Sequence, residues 1–378
     1  MEQSASIEHA TVAVRRQTLH WIAIPLLAVA IAVVSIAGSR IVDAVPGFTV
    51  LWPALEFAVL IAAVFASVHH ADVIAHRTGE PYGTLVLTVA VTVIELALIL
   101  SIMLAGDGSP TLARDTVFAV VMIICNGLVG ICIIVGGFRF GEQGFSVSGA
   151  SAYLVVLMPL ATLTLILPNY TAGHLGPLYS SPQLLFISLA LLALYGVFLY
   201  VQTIRHRDYF LSDAGDDDQD VGHAEPTGRA VWASVALLVL ALTGIVLLAK
   251  SFADSVKSSV AALGAPIGAI GLPVALLVLL PEGVAALKSA RRNDLQKSLN
   301  LALGSSLATI GLTIPAVGAL SIVIDQPLAL GLELRDVVLL ALTFAVSLVT
   351  FGAGRTNILP GFVHLILFAT FVFLTFAP

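Results

Sequence analysis

The chain reads as eleven apolar runs separated by short polar or Gly/Pro-rich stretches. The runs cover residues 20–37, 49–75, 81–105, 114–137, 149–168, 183–204, 230–252, 256–289, 295–320, 332–352 and 357–377. A helix needs about 20 apolar residues to cross the hydrocarbon core of a bilayer. In lipid, only helices and closed barrels satisfy their own backbone hydrogen bonds. Barrel strands alternate apolar and polar residues; these runs are continuous. The expected fold class is therefore an all-α integral membrane protein with about eleven transmembrane helices. Charge supports this. Only 11% of the 378 residues are Asp, Glu, Lys or Arg, against about 25% in a soluble domain.

The first run needs separate treatment. Arg15-Arg16 precedes it and Ser35-Ile36-Ala37 ends it, as in a cleavable signal peptide. At about 18 residues it exceeds the usual apolar core of such a signal, about 7–15, so a retained helix is expected. Lys and Arg gather on the cytoplasmic side of membrane proteins. With a cytoplasmic N-terminus, twelve of the 17 basic residues fall on that side and five on the other. This predicts N-terminus in, C-terminus out. A net charge of −6 leaves no basic field for nucleic acid. Cys125 and Cys132 lie seven residues apart, about 10.5 Å of helical rise, too far for a disulfide.

Residues 205–229 form one loop without apolar period. It carries Asp208, Asp213, Asp216, Asp217, Asp218, Asp220 and Glu225, and its composition is that of a flexible tether. It divides the chain into an N-terminal segment with the extra helix (1–48), a first five-helix half (49–204), the acidic cytoplasmic linker itself (205–229) and a second five-helix half (230–378). The halves share landmarks in one order. Gly79-Glu-Pro-Tyr-Gly83 matches Gly264-Ala-Pro-Ile-Gly268. Glu95 follows the first motif and Glu282 the second, each within an apolar stretch. Asp115 and Asp294 open the next helices. Asn126 and Ser305 each lie eleven residues further on. Four coincidences in order point to duplication. Five is odd, so the second copy enters the membrane from the opposite face. Inverted repeats of this kind build many secondary transporters, with the binding site at the midplane.

Glu95 and Glu282 are the acids set deepest in apolar surroundings. A charge at the bilayer centre costs about 2.5–3.5 kcal/mol on insertion scales, so such residues are functional by default. Two carboxylates meeting across a repeat axis would match one Ca²⁺, two Na⁺ or two protons. Burial and mutual repulsion favour their protonated forms, so protons compete with the metal, which is the simplest antiport mechanism. Ca²⁺ takes six to eight oxygens. Carbonyls of broken helices, the Asn126 amide, the hydroxyls of Ser305 and Ser306, and those of Thr88 and Thr92 are candidate further ligands. The same small polar residues also serve simple helix packing. Glu56 lies in an apolar stretch near a helix end, a candidate pathway residue. His69, His70, Asp72 and His76 cluster at another helix end as a candidate proton relay, pH sensor or weak metal site. His364, inside the last run, reads as a hydrogen-bonded packing residue. HExxH, GxSxG and P-loop signatures are missing from the sequence, so neither hydrolase chemistry nor ATP-driven pumping is expected.

Two stretches carry a family resemblance. HHADVIAHRTGEPYGTLVLTVAVTVIELALILSIML followed by ARDTVFAVVMIICNGLVG resembles the first α-repeat of the calcium/cation antiporter superfamily. LPEGVAALKSARRNDLQKSLNLALGSSLATIGL resembles the second, and the bacterial sodium/calcium–proton antiporter type is the most similar. The resemblance implies ten core helices in inverted repeats behind an extra first helix. It implies Glu95 and Glu282 as ligands of the exchanged ion, with Asn126, Ser305 and Ser306 lining the site. No cofactor is implied, and the partners are small cations, protons and the lipid of a bacterial inner membrane. Calcium/proton exchangers commonly carry Gly-Asn before the first glutamate. This chain has VTVIEL there and LLPEG in the second half, which removes two amide oxygens and leaves room for Na⁺ or K⁺. The expected activity is export of Ca²⁺, with Na⁺ or K⁺ as further substrates, in exchange for H⁺. The alternatives are a mainly Na⁺/H⁺ or K⁺/H⁺ antiporter, a passive cation channel using the same glutamates, and an intramembrane enzyme using the histidine cluster.

Overall fold

The computed structural model describes residues 20–36, 48–78, 82–104, 110–172, 176–211 and 226–377. Among them the chain forms eleven helices. These are α1 His20–Ile36, α2 Phe48–Thr78, α3 Tyr82–Leu104, α4 Leu112–Phe140, α5 Val147–Tyr170, α6 Ser181–Arg205, α7 Gly228–Ala262, α8 Ile267–Ala290, α9 Leu295–Val323, α10 Leu334–Gly352 and α11 Ile358–Phe376. Nine of them, α2 and α4 to α11, are long and apolar enough to cross a membrane. The chain is thus an all-α integral membrane protein. Residues 79–81 of the first repeat motif and residues 212–225 of the acidic loop lie outside the described residues. So do 1–19 and 37–47.

One boundary differs from the sequence reading. Residues 253–255 were expected to divide one helix, at 230–252, from the next, at 256–289. Instead α7 continues through them to Ala262. Polar residues are tolerated in a helix interior, where a left-handed residue is not. The break comes at Gly264, whose φ is +65°. Ala265 N donates to Val260 O at 3.0 Å and Gly264 N to Ala261 O at 3.0 Å, the paired bonds of a Schellman cap. Pro266 follows and cannot continue a helix. Asn293 repeats the device at the end of α8, with φ +65° and Asp294 N donating to Ser289 O at 3.1 Å. Asp294 then caps α9 by accepting from Lys297 N at 2.9 Å.

The chain packs as two compact units. The first holds residues 1–101 and 224–255, that is α1, α2, most of α3 and most of α7. The second holds residues 102–223 and 256–378, with α4 to α6, the end of α7 and α8 to α11. In the second unit α4 is the central element: 83% of its apolar window is buried, against 22% for α11. Glycines set the approach of α11 to α4. A Cβ on Gly130 would stand 3.0 Å from Gly361 O, and one on Gly361 would stand 3.0 Å from Gly130 O. Small residues at such crossings let backbones meet within a membrane.

Candidate functional site

In the first unit Glu95 lies on α3 and is 1% exposed. Ile94, Leu98 and Ile99 around it are fully buried. Thr88, Thr92 and Glu95 follow i, i+4, i+7 spacing, which sets them on one stripe of the helix. Thr92 Oγ1 donates its hydrogen to Thr88 O at 2.9 Å, so what Thr92 offers a cation is its oxygen lone pairs.

In the second unit Glu282 is half-buried on α8. It sits between Pro281, inside the helix, and Gly283. Proline has no N–H to give the carbonyl four residues back, so Leu277 O loses its helical partner one turn before the glutamate. Gly283 faces α4: a Cβ there would stand 3.9 Å from Leu128 Cδ1. Leu128 closes the π-helical turn Ile123–Leu128 of α4, and π turns of one cycle occur often at functional sites. Asn126 lies within that turn, fully buried. Its Nδ2 donates to Thr343 Oγ1 of α10 at 2.8 Å, and its Oδ1 lies 3.1 Å from His364 Nδ1 of α11. His364 Nε2 lies 3.1 Å from Thr350 Oγ1. The chain of contacts fixes the tautomer. Asn126 Oδ1 only accepts, so His364 Nδ1 carries the hydrogen, and a neutral ring then takes one from Thr350 at Nε2. His364 is thus a hydrogen-bonded interior residue, as expected, and it orients the predicted site residue Asn126.

The GSS stretch lies on α9, where Ser305 is half-buried and Ser306 fully buried. Ser306 Oγ has no hydrogen-bond partner among the described protein atoms. Another π turn, Thr309–Thr313, follows it. The two aspartates paired in the sequence do different work. Asp294 is the N-cap of α9. Asp115 lies inside the first turn of α4, bonded to Arg114 at 2.8 Å and to Thr111 Oγ1 at 2.8 Å. Asp115 also borders a cavity of about 260 Å³, in whose lining Arg114, Glu333, Arg335 and Asp336 place charges of both signs.

The remaining candidates lie in the first unit. Glu56 is 7% exposed and gathers donors from three helices: Ser35 of α1, Trp52 of α2 and Ser251 of α7. The histidine cluster divides. His69 stacks on Trp21 of α1 at 4.4 Å. Buried His70 contacts Trp21 O at 3.0 Å and Ser234 Oγ at 3.4 Å. Exposed Asp72 and His76 pair with each other at 3.8 Å. Among the described residues no three His, Cys, Asp or Glu side chains group closely enough to hold a metal ion. Trp52 had a signal in the sequence, its i, i+4 spacing to Glu56. Ser35, Ser251, Thr343 and Thr350 had none, because their partners come from helices distant in the chain.

The family model described as sodium/calcium exchanger protein matches residues 22–204 and 233–377. The chain is 46% identical over 359 residues to the protein y4hA of Sinorhizobium fredii, covering 95% of this chain and 96% of that one. It is 37% identical over 320 residues to the sodium-potassium/proton antiporter ChaA of Escherichia coli, covering 84% and 87%. Among solved structures, native YfkE superposes with a TM-score of 0.70 at 18% identity, over 93% of this chain and 99% of that one. The H⁺/Ca²⁺ exchanger CAX superposes with a TM-score of 0.60 at 14% identity, over 93% and 92%. At those identities the likeness is one of fold. The family model spans most of the chain, and the chain belongs to the sodium/calcium exchanger family, among the calcium/cation antiporters.

Proposed function

We propose that this protein is a secondary active cation/proton antiporter. It exports Ca²⁺, with Na⁺ or K⁺ as further substrates, in exchange for H⁺ by alternating access. Glu95 and Glu282 are the carboxylates shared in turn by cation and protons. The observation that carries the reading is Glu95: a carboxylate 1% exposed within an apolar helix of a chain that belongs to an exchanger family. Asn126, Ser305 and Ser306 are the supporting ligands. Ser306 supports this role, since a buried hydroxyl without a partner costs about 1–3 kcal/mol and is ready to take an ion. Residues 49–204 and 230–378 act as the inverted halves, in a bacterial inner membrane, with the N-terminus cytoplasmic and the C-terminus outside. The name of the 37% identical relative, a sodium-potassium/proton antiporter, favours a monovalent second substrate.

The test is proton flux in everted vesicles holding a preformed pH gradient. Ca²⁺, Na⁺ and K⁺ are added one at a time, and each transported cation collapses the gradient. A gradient that no cation collapses rejects antiport. Full exchange by Glu95→Gln or by Glu282→Gln rejects the assignment of the site. Cation flux that proceeds without moving protons identifies a channel instead.

A further inference from the structure

Glu56 is a buried carboxylate on α2 with three neutral donors. Trp52 Nε1 donates to Oε1 at 2.8 Å. The hydroxyl of Ser35, on α1, also reaches Oε1. That of Ser251, on α7, reaches Oε2. No basic side chain lies within ion-pair distance of Glu56 among the described residues. The other charged groups on these helices are distant or solvated. On α1 the single titratable residue is His20, at the helix start. On α2 the next titratable residue is His69, thirteen residues on and so about 20 Å along the axis. On α7, Lys250 and Asp254 flank Ser251, and both are exposed.

The hydrogens can be counted. Ser35 has one hydroxyl hydrogen and two acceptors in reach, Glu56 Oε1 and Ile31 O at 2.9 Å. It cannot serve both. With Glu56 ionised, Ser35 gives its hydrogen to the carboxylate. With Glu56 neutral, the carboxyl proton goes to Ser35 Oγ, and Ser35 turns its own hydrogen to Ile31 O. Trp52 Nε1 has an acceptor in either case, because Ser35 Oγ also lies 3.2 Å from it. Every hydrogen is placed in both states, and no heavy atom has to move between them.

We infer that Glu56, with Ser35, Trp52 and Ser251, forms a proton-binding site of its own, separate from Glu95 and Glu282, which ties α1, α2 and α7 together. A single proton arrives or leaves; no bond between heavy atoms forms or breaks.

Trp52 provides the probe. The chain has three tryptophans, Trp21, Trp52 and Trp232. Trp21→Phe with Trp232→Phe leaves one indole, bonded to the carboxylate in question. The full-length protein in lipid nanodiscs is titrated from about pH 4 to about pH 9, from the ordinary carboxylate range upward, while emission is recorded. The expected result is a one-proton transition that vanishes in Glu56→Gln and survives Glu95→Gln. Ser35→Ala moves its midpoint by about one pH unit, as loss of a hydrogen bond to a charged group does. A flat titration, or a transition that survives Glu56→Gln, overturns the site. An unmoved midpoint in Ser35→Ala removes α1 from it. If Glu56→Gln does not fold, Glu56→Asp replaces it, and there an unchanged midpoint is the overturning result. None of these readouts depends on transport, so they stand apart from the exchange assay.

Discussion

Helices α3 and α8 hold matching places in the two halves of the sequence, yet they present their glutamates differently. Glu95 sits in an unbroken apolar helix and is 1% exposed. Glu282 is half-buried and follows a proline within its helix. The oxygen-bearing groups that precede each glutamate on its own helix differ in kind. On α3 they are threonine side chains one and two turns before the glutamate. On α8 Pro281 leaves the carbonyl of Leu277, about one turn before the glutamate, without its helical N–H. Positions that match in the sequence therefore need not have matching surroundings. Under the proposed mechanism a proton would use either glutamate alike, whereas a metal would read the oxygens around each.

The largest effect expected comes from the carboxylates themselves. Glu95→Gln and Glu282→Gln each lower exchange by on the order of 100-fold, since a charged ligand contributes up to about 3 kcal/mol. Vesicle flux checks this, and a large loss in only one of the two would break the pairing. Next is the α4–α11 crossing, in the unit that holds α8. Gly361→Leu drives a side chain into Gly130 O and Ile134, and lowers stability by about 1–3 kcal/mol. Cys125 and Cys132 are free and buried, so a thiol-reactive dye reports the unfolding midpoint. Asn126→Ala strips partners from Thr343 and His364 and costs about 1–3 kcal/mol in the same assay, together with weaker cation saturation. A stable Asn126→Ala with unchanged transport would remove Asn126 from the site. The smallest effect is that of Pro281→Ala. It restores the bond to Leu277 O and, if that carbonyl is a ligand, raises the half-saturating cation concentration by about 2- to 12-fold, the equivalent of one hydrogen bond. Equal values in the two proteins would show that α8 offers its glutamate alone.

The repeat landmarks met different fates in three dimensions. Eleven helices were legible because lipid forces long apolar runs, and their limits mostly agree with the structure to within a few residues. The α7–α8 junction was misread because polarity is a weak marker of a helix end, whereas a left-handed glycine before a proline is a strong one. Asp115 and Asp294 looked equivalent by spacing. Asp294 proved to be a helix cap and Asp115 half of an ion pair, because a cap depends on which residue leaves helical geometry, and spacing does not record that. The sequence grouped His69, His70, Asp72 and His76 at one helix end, but α1 draws His69 and His70 toward Trp21.

What the amino-acid order determined alone is the solvent and the scarcity. An 11% charged chain must fold in lipid, and in lipid each interior carboxylate stands out because its energetic cost is high. Hence Glu56, Glu95 and Glu282 could all be named before any fold was known. Tertiary structure decided what surrounds each of them. The partners of Glu56 come from residues 21 positions before it and 195 after it, and His364 reaches Asn126 across 238. Contacts of that range follow from how helices cross, which rests on glycines, caps and close packing, and no local pattern in the chain records them.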